Sequence, residues 1–582
     1  MTATAPHASS DVPVDAPLLR VEHLAVTHDG EHAPTPADAS FSVARGEVVL
    51  VLGPSGAGKS TLALALNGLI PHDVPAEVAG VVSIAGLPAA STPVARLSTV
   101  VGMVFQDPDA QLVTGTILDE VAFGPENLRM PVAEVLARSE AALRTVGLWE
   151  RRRENPDVLS GGGRQRLAIA CVLALGSALM VLDEPTANLD PIGIEDVYEA
   201  LAQIAAHGDR AIVLIEHNLD AAIDVVTRVV ALDATGRTVA DGPVDAVLRE
   251  RADELHALGV WLPTSTIAAL RLRRAGYRLD PLPLTPGELR DALESSAPPA
   301  SHAPSPASSP DAGRDATAVR VRGLTVRRGG TVVLESVDLD VPTGSFTAIV
   351  GANGSGKTSL IQAIAGVVRP PRGAVSLGGV DPARTDPRTL ARQVGFVFQN
   401  PEHQFISHTV HDELAHGLRL QRLPEDEVRI RTDAVLERLG LTAKAHVHPF
   451  LLSGGQKRRL SVGTALIAGA PLLLLDEPTF GQDRARADQL LGLLEELNQQ
   501  GTTVVIVTHD MQLVTEYADR TIVLGDGRLL AADATAAVFD DAELVARAGL
   551  RLPPLRQALH GLTAHTDLAK VTRWRDLPGG AR

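Results

Sequence analysis

The sequence predicts an α/β chain that contains one domain twice, each copy with a mainly parallel sheet. Apolar strand-like runs alternate with helical patterns in both halves, as in GEVVLVLG before a glycine-rich loop and in PLLLLDEP further along. The runs 48–52 and 179–182 are apolar on both faces, which is typical of strands that helices cover on both sides. Short motifs of the first half also return in the same order in the second half. Together these observations indicate a duplicated α/β domain.

The repeat sets the predicted domain boundaries. GPSGAGKST from Gly53 returns as GANGSGKTS from Gly351, and LSGG at Leu159 returns at Leu452, so the copies are offset by about 290 to 300 residues. Between them, 297–313 is rich in Pro, Ala and Ser, a composition that behaves as a linker. The predicted segments are a disordered tail at 1–17, a first domain at 18–250 with a helical extension at 251–296, a linker at 297–317, a second domain at 318–540 and a C-terminal extension at 541–582.

Composition narrows the class of protein. With 45% hydrophobic and 21% charged residues the chain is an ordinary globular one. Its net charge of −17 argues against binding nucleic acid or an anionic bilayer through a general basic surface. The single cysteine, Cys171, fits a reducing compartment such as the cytosol. We expect no signal peptide and no transmembrane helix, and we interpret 167–182 as a buried helix followed by a buried strand.

The pattern GxxxxGK[ST] occurs in both halves, each time after a strand-like run and before a helical run. Its glycines let backbone N–H groups surround phosphates, its lysine adds a point charge, and the hydroxyl of Ser60 or Thr358 can ligate Mg²⁺. The alternative is a glycine turn that only joins a strand to a helix. The predicted ATP-binding residues are Gly53, Pro54, Ser55, Gly56, Ala57, Gly58, Lys59, Ser60 and Thr61 in the first loop, and Gly351, Ala352, Asn353, Gly354, Ser355, Gly356, Lys357, Thr358 and Ser359 in the second.

An acidic pair follows four apolar residues in each half. The pairs are Asp183 with Glu184 and Asp476 with Glu477, at the carboxyl end of a strand, where α/β sheets bind ligands. The aspartate would hold Mg²⁺ through water, and the glutamate could orient and deprotonate the attacking water. As an alternative, each pair would cap the helix that follows.

With LSGGGRQR and LSGGQKRR, the halves resemble nucleotide-binding domains of the ATP-binding cassette (ABC) family. The resemblance implies tandem P-loop NTPase domains that bind ATP and Mg²⁺, each with a parallel core, an antiparallel β subdomain and a helical subdomain. It also implies intramolecular pairing, in which the LSGG helix of one domain faces the γ-phosphate held by the other. One site would join Lys59, Gln106, Asp183, Glu184 and His217 with Ser453, Gly454 and Gly455; the other would join Lys357, Gln399, Asp476, Glu477 and His509 with Ser160, Gly161 and Gly162. The implied Mg²⁺ ligands are Ser60, Gln106 and Asp183, and Thr358, Gln399 and Asp476.

Further residues match the family in pairs. His217 and His509 each follow a buried strand, where the family places a histidine that contacts the γ-phosphate and fixes the catalytic glutamate. Asp190 and Asp483 match the family's aspartate loop, with helix capping as the alternative role. The predicted catalytic residues are therefore Glu184, Glu477, His217 and His509.

The segments from Phe105 and Phe398, FQDPDAQL and FQNPEHQF, resemble those of energy-coupling factor importers, which take up vitamins or cobalt. In that group the segment contributes to the groove for a coupling helix of a transmembrane partner, so the resemblance implies integral membrane subunits, a scaffold and a substrate-binding subunit. It places the chain in the cytoplasm, on the inner face of the cell membrane. PTFGQD resembles fused ATPases linked to uptake of thiamine or its precursor. The candidate partner contacts are Asp109, Gln111, Glu402 and Gln404, with a solvated loop as the alternative.

Two positions depart from the family pattern. Gly163 stands where glutamine is usual after LSGG, while Gln456 keeps the usual residue, so we expect the site that uses Ser160 to be the weaker one. His28 and Arg328 stand where an aromatic residue usually stacks on adenine.

Two other functions are compatible with tandem cassettes. A soluble tandem ABC protein that acts on ribosomes usually has a long, charged helical linker, whereas 297–313 is short and rich in proline. A fused sugar-importer ATPase would also have tandem halves, but the DPDAQL and NPEHQF segments argue against it. Membrane-dependent turnover separates the ribosomal alternative from the two importers.

Overall fold

The computed structural model describes residues 17–187, 189–297, 316–479 and 484–579. The predicted tail up to residue 16, most of the predicted linker and Asp483 lie outside these ranges. The chain divides into two compact units, Met1–Ala300 with Leu562–His565 and Pro578–Arg582, and Ser301–Gly561 with Thr566–Leu577. They are called the first and the second unit below.

The first unit contains two sheets. Its strands are β1 (Leu19–His28), β2 (Ala39–Val43), β3 (Val48–Leu52), β4 (Ala76–Ile84), β5 (Leu87–Pro88), β6 (Val101–Val104), β7 (Leu179–Asp183), β8 (Ala211–Ile215), β9 (Arg228–Leu232) and β10 (Thr238–Pro243). The core sheet has the order β10-β9-β3-β8-β7-β6 and is parallel except for β10. The second sheet, β2-β1-β4-β5, is antiparallel.

The central strands of the first unit's core sheet are buried along their whole length. Every residue of β3, β7 and β8 is buried, as the apolar runs in the sequence predict. The register pairs Asp183 at the end of β7 with Ile215 at the end of β8. This register brings the residues that follow both strands to one edge of the sheet, where they form the site described below.

Helices cover the core sheet and form a separate helical region. They are α1 (Lys59–Leu66), α2 (Leu69–His72), α3 (Val94–Leu97), α4 (Ile117–Asn127), α5 (Val132–Thr145), α6 (Gly161–Leu175), α7 (Pro191–Ala206), α8 (Leu219–Ala222), α9 (Ala252–Ala257), α10 (Thr264–Arg274) and α11 (Pro286–Ser295). The predicted buried helix and strand within 167–182 correspond to α6 and β7. Helices α9 to α11 form an extension after the last strand of the core sheet.

The second unit repeats this plan. Its strands are β11 (Thr317–Arg328), β12 (Thr331–Pro342), β13 (Phe346–Val350), β14 (Val375–Leu377), β15 (Val394–Val397), β16 (Leu472–Asp476), β17 (Thr503–Val507), β18 (Arg520–Gly525) and β19 (Arg528–Ala534). The core sheet has the order β15-β16-β17-β13-β18-β19, with only β19 antiparallel, and β12-β11-β14 form the antiparallel sheet.

Up to the extension, the described helices of the second unit correspond to those of the first, except that α2 has no counterpart among them. They are α12 (Lys357–Ala365), α13 (Pro387–Leu390), α14 (Val410–Leu420), α15 (Glu425–Arg438), α16 (Gly454–Ile467), α17 (Arg484–Gln499), α18 (Met511–Tyr517), α19 (Thr535–Asp540), α20 (Ala542–Arg547) and α21 (Pro554–Leu559). The helical region around α14, α15 and α16 has its own core of buried leucines and valines. The predicted fold class, with a mainly parallel core, an antiparallel sheet and helices in each half, is confirmed.

A short segment near the C-terminus, residues 562–565, belongs to the first unit. Glu294 at the end of α11 accepts hydrogen bonds from the backbone N–H groups of Thr563 and Ala564 (2.6 and 3.0 Å), so residues 562–565 complete the first unit. In the part of the chain that the structure describes, no helix combines the length and the apolar character needed to cross a membrane.

Candidate nucleotide sites

In the first unit the phosphate loop runs from β3 into α1. The ammonium of Lys59 is buried and donates hydrogen bonds to the carbonyls of Gly53 (2.8 Å) and Pro54 (3.0 Å), which hold it inside the loop. Gly56 has a φ of +83°, a backbone conformation that favours glycine, and a Cβ there would meet no atom within 4 Å. The loop therefore has an open concave side lined by backbone, next to the N-terminus of α1, as phosphate binding requires.

The acidic pair of the first unit lies where β7 ends. Glu184 accepts a hydrogen bond from the side-chain amide of Gln106 (2.8 Å), and its other carboxylate oxygen is 2.6 Å from Nε2 of His217. The backbone of Glu184 has a φ of 48°, which is strained for a residue with a side chain. Two residues, Gln106 and His217, thus converge on the carboxylate of Glu184, although 78 positions separate Gln106 from Glu184.

The donor set around Asp183 suits Mg²⁺. The Oδ1 atom of Asp183 is buried and has no hydrogen-bond partner among the described residues, and burial raises the pKa of this carboxyl to about 6, against a hydrogen bond from Ser60 that lowers it. A carboxylate, a hydroxyl and an amide are hard oxygen donors of the kind that Mg²⁺ prefers, together with substrate phosphates. A divalent cation would satisfy the orphaned oxygen and the buried negative charge.

The second unit repeats these contacts with small changes. Lys357 donates to the carbonyls of Gly351 (2.7 Å) and Ala352 (2.9 Å), and the hydroxyl of Thr358 donates to Asp476 (3.2 Å). Burial raises the pKa of Asp476 to about 6, as for its counterpart. Gly354 has a φ of +82° and an open side, like Gly56.

The glutamate and the histidine of the second unit also form a pair. Glu477 has the same strained φ of 48° as Glu184, and one of its oxygens is 2.9 Å from Nδ1 of His509. In the first unit the corresponding contact is made by Nε2 of His217. Burial alone lowers the pKa of His509, but the charge of Glu477 and its hydrogen bond more than offset this effect and raise it above the usual value.

The second unit has a buried arginine that sequence reasoning missed. Arg458 is 3% exposed and lines a cavity of about 510 Å³ together with Thr358, Gln399 and Asp476. Its guanidinium donates to the carbonyl of Phe398 (2.9 Å), and burial lowers its pKa to about 10. In the first unit Gln165 stands at this position and donates to the carbonyl of Phe105 (3.3 Å) without adding a charge. A comparison of LSGGGRQR with LSGGQKRR contains this signal.

The LSGG segments begin α6 and α16. Ser160 caps α6 by accepting a hydrogen bond from the backbone N–H of Gly163 (3.2 Å). In the second unit the side chain of Gln456 also accepts from the N–H of Ser453 (3.0 Å), completing a reciprocal cap that Gly163 cannot make. Ser160, Gly161, Ser453 and Gly454 are exposed at these helix starts, whereas Gly162 is buried and Gly455 is half-buried.

The predicted partner contacts are occupied within their own unit. Asp109 forms an ion pair with Arg164 (2.7 Å), and Glu402 forms one with Lys457 (2.6 Å). Each of these basic residues is the second residue after its LSGG segment. The side chains of the two glutamines bridge neighbouring backbone and hydroxyl groups: Gln111 those of Phe105 and Met103, and Gln404 those of Ser461 and Thr464. These residues therefore fix the segment after Gln106 or Gln399 to its surroundings.

The sequence analysis did not identify two further residues of the first unit, both of which contact His217. Glu216, next to His217, is buried and accepts hydrogen bonds from the side chains of Thr186 and Tyr198 and from the backbone of His217 (2.7 Å); burial raises its pKa. Trp261, on the extension, contacts the ring of His217. The second half has Thr508 in place of Glu216, so comparing the halves could have revealed this residue.

Comparisons with known proteins identify the family of the chain. A family model described as ABC transporter matches residues 37–187 and 334–480. A protein of Methanosarcina acetivorans, described as a candidate ABC transporter ATP-binding protein, is 36% identical over 97% of this chain and 93% of its own length. A Bacillus subtilis protein described as a candidate HMP/thiamine import ATP-binding protein is 35% identical over 95% of this chain and 98% of its own.

A solved structure gives a partial match. CbiO1 of Clostridium perfringens, part of the ABC transporter complex CbiONQ, is 32% identical and covers 41% of this chain and 97% of its own, with a TM-score of 0.36. The family model matches both halves of the chain, and the relatives match it nearly end to end. The chain is therefore an ATPase that belongs to the ABC transporter family.

Proposed function

We propose that the chain is the ATP-hydrolysing energy-coupling subunit of a membrane importer of the energy-coupling factor type. The observation that carries the proposal is the duplicated site, in which a phosphate loop, a strained glutamate and a histidine occur together in both units. A protein with two such sites is suited to driving a conformational cycle in partner subunits with two molecules of ATP.

The proposed roles combine the contacts within each unit with what the family resemblance implies. Lys59 and Lys357 hold the β- and γ-phosphates, and Glu184 and Glu477 orient and deprotonate the attacking water. His217 and His509 fix these glutamates and contact the γ-phosphate. Ser60, Gln106 and Asp183, and their counterparts Thr358, Gln399 and Asp476, would hold Mg²⁺, which when bound neutralises charge on the phosphates.

The pairing of LSGG segments with the opposite phosphate loop stays a prediction from the family resemblance. In this proposal Ser453, Gly454 and Gly455 complete the site of Lys59, and Ser160, Gly161 and Gly162 complete that of Lys357. The exposure of Ser160 and Ser453 at helix starts supports a role of this kind, because an exposed helix N-terminus can accept an anion.

The proposed membrane partners dock on the segment after Gln106 and Gln399, on the inner face of the cell membrane. Large apolar side chains are exposed there at matched positions, 70% for Val113 and 67% for Ile406, and next to the LSGG segments at Val158 (59%) and Leu451 (79%). In the second unit the ring of Phe450, beside Leu451, contacts that of Phe405, beside Ile406. Exposed apolar groups in one neighbourhood are typical of protein interaction surfaces.

The proposed cargo is a vitamin, a thiamine precursor or a transition metal ion. The name of the Bacillus subtilis relative supports the thiamine branch, since that protein is 35% identical over nearly the whole chain. No residue of the ATPase needs to contact the cargo, so the cargo has to be identified by transport.

Uptake measurements test the proposal. A host strain lacking this chain is complemented with the wild type or with E184Q combined with E477Q, and uptake of labelled thiamine, its hydroxymethylpyrimidine precursor and Co²⁺ is followed. We expect the wild type to restore uptake of one of these compounds and the double variant to restore none. Restored sugar uptake, or co-purification with ribosomes and no transport defect, would contradict the proposal.

A surface variant tests the docking step. I406S combined with L451S is expected to lower uptake while the purified chain still hydrolyses ATP. The matched control is V332S, because Val332 is an exposed apolar residue on β12, outside the proposed docking surface. Equal uptake by the two variants would exclude this surface as the docking site.

A further inference from the structure

The extension of the first unit contacts the histidine of the nucleotide site. The indole of Trp261 lies with its centroid 5.0 Å from that of the His217 imidazole, at an angle of 54°. The Nε2 atom of the same imidazole is 2.6 Å from Glu184, and its Nδ1 atom is buried with no hydrogen-bond partner among the described residues. The ring is therefore held by Glu184 on one side and by packing against Trp261, not by a second hydrogen bond.

A second contact anchors the extension to the same loop. The start of α10 is bound to Asp220, three residues after His217: the backbone N–H and the hydroxyl of Thr264 donate to its two carboxylate oxygens (3.0 and 2.6 Å). Thr264 is buried, and so are Ser265 and Thr266 after it. Residues 261–264 thus contact the loop that contains His217 and Asp220, the histidine loop, at two points, through ring packing and through a pair of hydrogen bonds.

The second half has different residues at each of these positions. The sequences LGVWLP and AGLRLP place Arg551 where the first unit has Trp261, and Pro554 where it has Thr264. Proline has no N–H and no hydroxyl to donate. Gln512 replaces Asp220, which removes the carboxylate as well. The residues that link the extension to the histidine loop are therefore specific to the first half.

We propose that Trp261 is a positioning residue for His217, and that residues 261–264 couple the extension to the first nucleotide site alone. The proposal rests on the role assigned to His217 under the proposed function. Because Trp261 restricts the imidazole, a shift of the extension changes how His217 meets Glu184 and the γ-phosphate. Small displacements of this kind alter rates strongly, since catalysis depends on alignment of the reacting groups.

Single-turnover ATP hydrolysis tests the proposal in the full chain. In an E477Q background, which confines hydrolysis to the first site, we expect W261A to lower the maximal rate about tenfold and to change the ATP concentration for half-saturation much less. W261F keeps a ring against His217 and is expected to retain at least about half of the rate. The matched control is R551A in an E184Q background, with an expected change below about twofold.

Fluorescence gives a readout that loss of packing alone would not produce. In the W149F/W574F protein Trp261 is the single tryptophan, because the chain has three. We expect its emission to change when MgATP saturates the protein, and we expect H217A to abolish that change. Thermal unfolding of W261A and W261F identifies a variant that fails to fold, in which case the fluorescence result decides.

The outcomes distinguish a wrong role for Trp261 from a wrong role for His217 in the proposed function. If H217A leaves hydrolysis in the E477Q background unchanged, the assigned role of the histidine is wrong. If H217A abolishes hydrolysis but W261A retains the full rate, or if Trp261 emission does not respond to MgATP, the role of Trp261 is wrong while that of His217 stands.

Discussion

In the first unit His217 meets Glu184 through Nε2, beside a buried glutamate and a tryptophan, whereas in the second His509 meets Glu477 through Nδ1, near a buried arginine. The phosphate loops, the strained glutamates and the buried aspartates are the same in both units. The two sites therefore differ in how the histidine meets the glutamate and in the residues around this pair. Two sites of one chain can share their chemistry and still differ in charge and in what restrains the histidine.

The largest expected effect comes from removing both glutamates. We expect E184Q combined with E477Q to lower steady-state phosphate release at least about 100-fold, because in the proposed function each glutamate acts as general base. In the proposed pairing Ser160, with Gly163 beside it, serves the Glu477 site, so E184Q alone should cost more turnover than E477Q alone. ATP binding, measured in parallel, serves as the control and should persist. Unchanged turnover in E184Q would refute the prediction of two competent, unequal sites.

The buried aspartates test a property that the two sites share, the destabilising burial of a negative charge. Burial raises the pKa of Asp183 and Asp476 from 3.8 to about 6 in the folded protein. The buried charge therefore destabilises the Mg²⁺-free protein fully above pH 6, and the effect becomes small near pH 4, where the folded carboxyl is protonated and the unfolded one is about half-protonated.

D183N and D476N should each raise the free energy of unfolding at pH 8 by up to about 3 kcal/mol and change it by less than about 1 kcal/mol near pH 4. Thermal or urea unfolding without Mg²⁺ at the two pH values measures this gain. Equal gains at pH 4 and pH 8 would show that charge burial is not the cause, and a gain in only one variant would break the symmetry of the two sites.

The buried arginine tests how the sites differ. We expect R458Q in an E184Q background to lower single-turnover hydrolysis about tenfold, because the cation beside Asp476 and Glu477 stabilises charge that develops on the phosphates. Glutamine can keep the hydrogen bond to Phe398, as Gln165 does to Phe105. R458K, which keeps a positive charge, is the control. A rate within about twofold of the parent would leave Arg458 a purely structural role.

The smallest effect is expected at the helix start of the first unit. G163Q should stabilise the start of α6 by about 1 kcal/mol, through the reciprocal cap that Gln456 provides in α16. In an E184Q background we expect turnover to rise by no more than about fivefold. G163A is the matched control, because it adds a Cβ in the same place, 3.2 Å from that of Leu159, without the amide. Identical results for the two variants would rule out the cap as the reason for unequal rates.

Short motifs next to strand ends made much of the site predictable. Asp183 ends β7, Glu184 follows it, and His217 lies two residues after β8. These strands are adjacent in the sheet, so the three residues lie at one edge. The prediction that Asp109 and Glu402 contact a membrane partner did not foresee their ion pairs with Arg164 and Lys457. Those pairs join positions 55 apart, a separation at which no local pattern exists.

The sequence by itself determined the duplicated α/β fold, the two phosphate loops and the acidic pairs, because each is written in a continuous run whose spacing fixes its local geometry. Only the tertiary structure decided which distant side chains surround those runs. Three contacts illustrate this: Trp261 with His217, Thr264 with Asp220, and Arg458 with Phe398. The partners in the two hydrogen-bonded pairs are 44 and 60 positions apart. Their partners are chosen by packing of whole elements, and packing leaves no periodic trace in the sequence.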